Sequence, residues 1–329
     1  MLLIGRAAAG WWPMPARSNA PRQGPALLLE RILLDDSSAP MIASRTYRAD
    51  AVITLLTLPI FSRAGVGMGS ATIRGGQREE GNLLALSFEG GSQTERAHGL
   101  NRLGFIQEAV LERDSTPVEA AYFGFMTTSP EESIAEGRKA LNSGESPGNL
   151  YSVVQGRHSA GTVASQKTRI FLAGNYSGSH WRALLKAVRS AFVSSKPEIS
   201  EQPAPASSIP STFLYLMSQA VRQTSRRFDA RYFYNGKEYR LRIDKTADAH
   251  AGAAFAAKGL IRDPNHAIQM RGQIDDLVTG GVTHFRLWTE GDGTSILPIR
   301  IELQPRSFLR LAFEFDPSLE NQASEESLA

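Results

Sequence analysis

Leu297, Ile299, Ile301 and Leu303 alternate with Pro298, Arg300 and Glu302, and soon afterwards Leu309, Leu311, Phe313 and Phe315 alternate with Arg310, Ala312 and Glu314. An extended strand sends successive side chains to opposite faces, so this two-residue period specifies strands with one buried face. A weaker version precedes it, with Phe285 and Leu287 alternating with His284, Arg286, Trp288 and Glu290. Glu290-Gly291-Asp292-Gly293 and Gln304-Pro305-Arg306 supply turn residues between the three runs. Residues 282–315 are therefore expected to form a three-stranded antiparallel meander.

The same reading extends upstream. Strands are expected from Arg45, where Tyr47, Ala49, Ala51, Ile53 and Leu55 share a face, and over 64–74, 83–89, 103–111, 118–125, 151–154, 167–172 and 268–277. Asn235-Gly236 is the strongest short turn signal and centres a hairpin over 228–244. Helices are expected from Ser129, with Pro130 at the first helical position, over 179–192 on the spacing of Leu184, Leu185, Val188 and Phe192, and over 212–223. The alanine-rich stretch 249–257 fits helix or loop. Residues 194–210, SSKPEISEQPAPASSIP, have no apolar period and read as a flexible Pro/Ser-rich linker. Residues 1–42 and the acidic tail 317–329 are expected to be poorly ordered, leaving a single β-rich domain over 43–316. The fold class expected is mainly β (α+β): a large antiparallel curved sheet or half-open barrel or sandwich, with two or three helices packed on it.

Composition removes several functions. The chain has no cysteine, which excludes disulfides, thiolate metal sites, a cysteine nucleophile and a lipidated cysteine. A net charge of +3 over 329 residues does not point to nucleic acid. No run approaches the length of a membrane-spanning helix, and the first residues make a poor signal peptide because Arg6 and Gly10 interrupt the apolar stretch. Gly65-Val66-Gly67-Met68-Gly69 lacks both the spacing of a dinucleotide loop and the Gly-Lys ending of a phosphate loop, so it reads as a strand whose glycines permit bending or close packing. Gly144-Glu145-Ser146-Pro147-Gly148 matches a nucleophile elbow in letters only. Pro147 has no N–H to offer an oxyanion. Tyr176-Ser177-Gly178-Ser179-His180 reads as a loop and helix cap, and the carboxylate pairs Glu131-Glu132 and Asp275-Asp276 diverge as sequence neighbours do. His98, His158, His180, His250, His266 and His284 have no metal-binding spacing, so no metal, no cofactor and no catalytic set is expected.

Three stretches carry a family resemblance. HFRLWTEGDGTSILPIRIELQPRSFLRLAFE resembles the closing strands of the bacterial domain-of-unknown-function family 3108. TYRADAVITLLTLPIFSRAGVGMGSATI resembles its opening hairpin, and STFLYLMSQAVRQ with FDARYFYNGKEYRLRI its central helix and following strand pair. The resemblance implies a non-enzymatic β-rich protein of the periplasm or cell envelope, similar in shape to the half-barrels of lipoprotein carriers. A cytoplasmic location is the alternative. On this reading a hydrophobic or amphiphilic ligand, a lipid or lipoprotein-like group, binds in the curved sheet. The candidate residues are Trp288, Arg286 and Arg300 on one sheet face, an aromatic platform with guanidinium groups, and Leu214 and Tyr215 on the helix that would act as lid or plug. The alternatives are a scaffold that binds an envelope protein by a sheet edge or apolar patch, and, behind it, a hydrolase using His158, His180 or His284.

Overall fold

The expected strands join into one sheet, except that the strand expected from Leu297 begins only at Arg300, and Ile299 packs with Trp288 and Phe255 instead of sharing a face with Leu297, Ile301 and Leu303. The computed structural model describes residues 33, 39–55, 58–97, 101–128, 148–159, 161–174, 176, 181–205, 208–291, 296–306 and 309–320. Among these, eight strands come first: β1 (Met41–Leu55), β2 (Leu58–Arg78), β3 (Gly81–Ser92), β4 (Leu103–Arg113), β5 (Thr116–Thr127), β6 (Gly148–Ser159), β7 (Thr162–Ala173) and β8 (Glu198–Pro203). Six follow: β9 (Arg227–Tyr234), β10 (Lys237–Ala247), β11 (Ala267–Asp276), β12 (Val282–Glu290), β13 (Arg300–Arg306) and β14 (Leu309–Phe315). Three helices are described: α1 (Trp181–Ser194), α2 (Phe213–Arg222) and α3 (Ala249–Ala257).

The strand order is β8-β7-β6-β5-β4-β3-β2-β1-β14-β13-β12-β11-β10-β9. The first and last strands therefore pair, Tyr47 opposite Phe315 and Ile53 opposite Leu309, and the two edges of the sheet, β8 and β9, lie in the middle of the chain. Curling brings those edges near each other. The Tyr122 hydroxyl on β5 accepts the Asn235 N–H at the tip of the β9–β10 hairpin, at 2.7 Å, and Gln202 Nε2 on β8 donates to the Gly236 carbonyl at 3.5 Å. No ladder joins β8 to β9, so the barrel stays open along that seam.

Curvature is built with glycine. Tyr122 stands opposite Gly156 and Phe285 opposite Gly272, and a Cβ on either glycine would meet the facing ring at 2.3 Å or 1.9 Å. Each ring lies across its neighbour's bare backbone. Of the glycines in 65–69, Gly65 bends the strand, taking φ +63° where the β1–β2 register shifts between Ala49 and Ala51 and donating its N–H to Asp50 Oδ1 at 2.7 Å, while Gly67 and Gly69 pack closely on the backbone of β3.

Both faces of the sheet are covered. Inside the curve, Tyr47, Ile73, Leu86, Val110, Leu241, Met270 and Phe285 pack around Tyr215, Leu216, Met217 and Ala220 of α2. Outside, Leu184, Val188 and Phe192 of α1 cover Phe105, Phe123, Phe125 and Tyr151. Two-sided burial explains why β4 and β5 read as almost continuous apolar runs. A third, smaller core sets Phe255 of α3 against Trp288, Ile261 and Ile299.

One expectation is corrected. Within the supposed flexible linker 194–210, residues 198–203 form β8, paired with β7 from Lys167↔Glu198 to Thr162↔Pro203. The strand lacks an apolar period because neither of its faces is buried, and its proline is tolerated because it lies at the edge. The helix expected from Ser129, nearly all of the Gly144–Gly148 pentapeptide and residues 177–180 lie outside the described residues, as do 1–32, 34–38 and 321–329.

Candidate ligand cavity beneath helix α2

Helix α2 is buried around most of its circumference, from Tyr215 to Ser218 and at Ala220, and fills the inside of the curve. Its first turn needs partners for free N–H groups, and Thr212 makes no side-chain cap bond. Glu108 of β4 supplies them from across the sheet. Its Oε2 accepts the Tyr215 N–H at 3.0 Å, and the N–H groups of Leu214 and Phe213 also act on the carboxylate. Glu108 is fully buried, and burial, opposed by those N–H groups, pushes its pKa up to about 7. Four residues further along β4, Glu112 Oε1 accepts the Tyr215 hydroxyl at 2.7 Å and a bond from Gln219 Nε2 at 3.5 Å. Two interior carboxylates thus hold the helix along one side.

On its other side α2 leaves space. A half-open cavity of about 170 Å³ lies between the helix and strands β2, β3, β12 and β13, with residues 296–298 along its border. Leu214, Met217 and Val221 form its roof, and Ala71, Ile73, Leu86, Phe88, Leu287 and Ile301 much of its floor and walls. Its polar side chains are hydroxyls, and these are engaged: Thr72 with Ser87 at 2.6 Å, Ser218 with the Tyr215 carbonyl at 2.8 Å. Such a lining offers dispersion and desolvation but no fixed charge.

The sheet face expected to bind has a different environment. Arg286, Trp288 and Arg300 do share one face and touch, both guanidinium carbons lying within 5.8 Å of the indole centroid. Trp288, however, is only 6 % exposed. It is covered by Phe255 of α3, and its Nε1–H donates to Asp248 Oδ2 at 2.9 Å. Asp248 also caps α3 by accepting the Ala251 N–H, and that bond, followed by the indole, holds its pKa below the usual carboxylate range. The indole is thus a structural anchor for α3 and does not form an open platform. The arginines are neutralised across strands: Glu302 receives Arg286 at 2.6 Å and Arg300 at 2.7 Å, and Glu314 receives Arg300 at 3.0 Å and Lys258 at 2.6 Å. A groove of about 430 Å³ remains beside them, between Arg271, His284, Arg286 and Arg310. Of the helix candidates, Leu214 lines the α2 cavity, whereas Tyr215 points to Glu112.

A serine does meet a histidine. Buried His158 on β6 has Nε2 3.2 Å from Ser208 Oγ, while its Nδ1 accepts the Ser211 N–H at 3.4 Å. A backbone N–H can only donate, so Nδ1 is the bare nitrogen and Nε2 carries the proton. Nε2 therefore donates to Ser208 Oγ, whose own proton goes to the Pro205 carbonyl at 2.7 Å. That is the reverse of the polarity by which a histidine activates a serine. Burial also lowers the imidazole pKa to about 4, so it stays neutral as a structural tie between β6 and the chain entering α2. Among the described residues, no three His, Asp or Glu side chains gather to hold a metal ion, and no helix is long and apolar enough to cross a membrane.

The fold and cavity together define a half-open, β-barrel-like protein with a helix inside the curve. No family model matches the chain and no curated protein matches it, so the resemblance stands at the level of a β-barrel-like fold and not of family 3108. Among solved structures, the chain is similar to a β-barrel-like protein of a domain of unknown function, DUF1849, from Brucella abortus. Identity is 7%, 84% of this chain and 96% of that one are covered, and the TM-score is 0.43.

Sequence reasoning missed Glu108 and Glu112, the two carboxylates that hold α2. Both sit in an apolar strand, and only the alternation Glu108, Val110, Glu112 on the inner face marks them as polar groups aimed into a core.

Proposed function

We propose that this protein is a non-enzymatic binder of a small hydrophobic or amphiphilic ligand held between α2 and the curved sheet. The observation that carries the reading is the cavity itself, about 170 Å³ with an apolar lining, between α2 and the curved sheet. An apolar cavity of ~150 Å³ stays dry and takes up molecules of benzene size, so this one suits a compact apolar group or the end of a chain. Leu214 belongs to the binding wall, and Tyr215 fixes the helix that forms it. Arg286, Arg300 and Trp288 contribute by holding the outer face against α3. The cell-envelope location is part of the proposal and is supported by the sequence resemblance. Docking of a partner on the outer edge of β8 draws on its exposed Ile199, but Glu198, Glu201 and Pro203 blunt that edge against strand addition.

The test is titration of a neutral, environment-sensitive naphthylamine dye into the protein and into Ala71→Leu, which adds bulk to the cavity floor. The parent should enhance the dye's emission saturably at one site per chain, and the variant should keep its melting temperature while losing the binding. Equal binding by parent and variant places the dye elsewhere and refutes the reading.

A further inference from the structure

The last turn of α2 opens a second space. A vestibule of about 720 Å³ is lined by Val221, Arg222, Arg226, Lys245, Ile268, Met270 and Glu290, among others. Val221 also lines the apolar cavity, so the two spaces border the same side chain. Ile268 and Met270 belong to the inner core cluster and give the vestibule an apolar floor. Its rim is cationic, with three cations facing one carboxylate, Glu290.

These cations differ from those of the outer face. Arg286 and Arg300 are committed to Glu302 and Glu314, whereas none of Arg222, Arg226 and Lys245 is ion-paired among the described residues. Lys245 Nζ donates to the Gln223 carbonyl at the end of α2, which sets the ammonium at the rim. An unpaired cluster beside an apolar opening complements a molecule with an apolar chain and an acidic end.

We propose that the natural ligand is a single-chain anionic amphiphile, its apolar end beneath α2 and its carboxylate head at Arg222, Arg226 and Lys245. This rests on the reading that the α2 cavity holds a ligand. It adds the chemical class, the polarity of insertion and the mouth by which the ligand enters, at the C-terminal end of the helix.

The experiment is competition of decanoate and decanol, matched in chain and different in head, against the neutral dye. Decanoate should displace the dye roughly tenfold better than decanol at low salt, about the worth of one charge-assisted hydrogen bond. Added salt and the triple variant Arg222→Gln/Arg226→Gln/Lys245→Gln should erase the preference while dye affinity stays. Glu290→Gln should widen it, which keeps the test independent of the triple variant's folding. If decanoate and decanol compete equally while the dye still binds, the head-group site is overturned and the cavity reading survives. If the parent binds no dye, both fall together.

Discussion

Replacing Glu108 by Gln should change how stability depends on pH in a direction fixed by two buried groups. Burial raises the Glu108 pKa from 4.5 to about 7. The folded state then holds a proton that the unfolded state releases, so this group's contribution is fully present below pH 4.5 and lost as pH rises through about 7. At roughly 1.4 kcal/mol per pKa unit the loss comes to about 3 kcal/mol. His158 acts in the opposite sense. Burial lowers its pKa from 6.5 to about 4, so its contribution is present above pH 6.5 and lost as pH falls through about 4. In the parent the two slopes offset each other across much of the interval between these pKa values. Glu108→Gln removes one and leaves the other, so the variant should gain stability from pH 4 to 6.5, where only His158 still titrates. Above pH 7 it should exceed the parent by up to about 3 kcal/mol, a figure that already nets the N–H bonds of α2 against the burial of the carboxylate. His158→Gln should show the mirror image, losing stability as pH rises from 4.5 to 7. Urea denaturation followed by tryptophan fluorescence, with the m value held constant between proteins, reads the difference directly. Parallel pH profiles for parent and Glu108→Gln would refute the reasoning, because they would mean that the carboxylate titrates alike in both states.

Two further outcomes follow from local geometry. Gly272→Ala places a Cβ 1.9 Å from the Phe285 ring and should cost about 1–3 kcal/mol in a denaturation series, a near-silent substitution showing that the ring is free to move. Trp288→Phe should cost about 1–2 kcal/mol through the lost bond to Asp248, and Asp248→Ala more, because it also removes the acceptor for Ala251 and Gln269; equal losses would rule out the shared role.

The 282–315 meander was legible because burial on one face leaves a period of two, and the 228–244 hairpin because Asn235-Gly236 is a strong turn signal. Strand β8 was not, since a strand exposed on both faces has no period to read. The sheet face of Arg286, Trp288 and Arg300 was legible as a face, because alternation puts those residues together. Its cover was not: α3 arrives from a segment with too little polarity contrast to show which side it presents. Leu214 was found because Leu214, Tyr215, Met217 and Ala220 recur at helical spacing and mark the face of α2 that meets the sheet. Glu108 and the cationic trio Arg222, Arg226 and Lys245 depend on which elements curl together, and no spacing along the chain encodes that.

The pairing of β1 with β14 has a mechanical consequence. Antiparallel neighbours carry their outer ends at the same end of the ladder, here Tyr47 and Phe315. A force drawing those two residues apart loads the ladder crosswise and opens it pair by pair toward Ile53 and Leu309, like a zip, instead of shearing all its bonds at once. Tension on the ends would part the barrel along β1 and β14, opposite the seam of β8 and β9, and spread the wall beside α2 while the helix stayed tethered to β4 through Glu108 and Glu112.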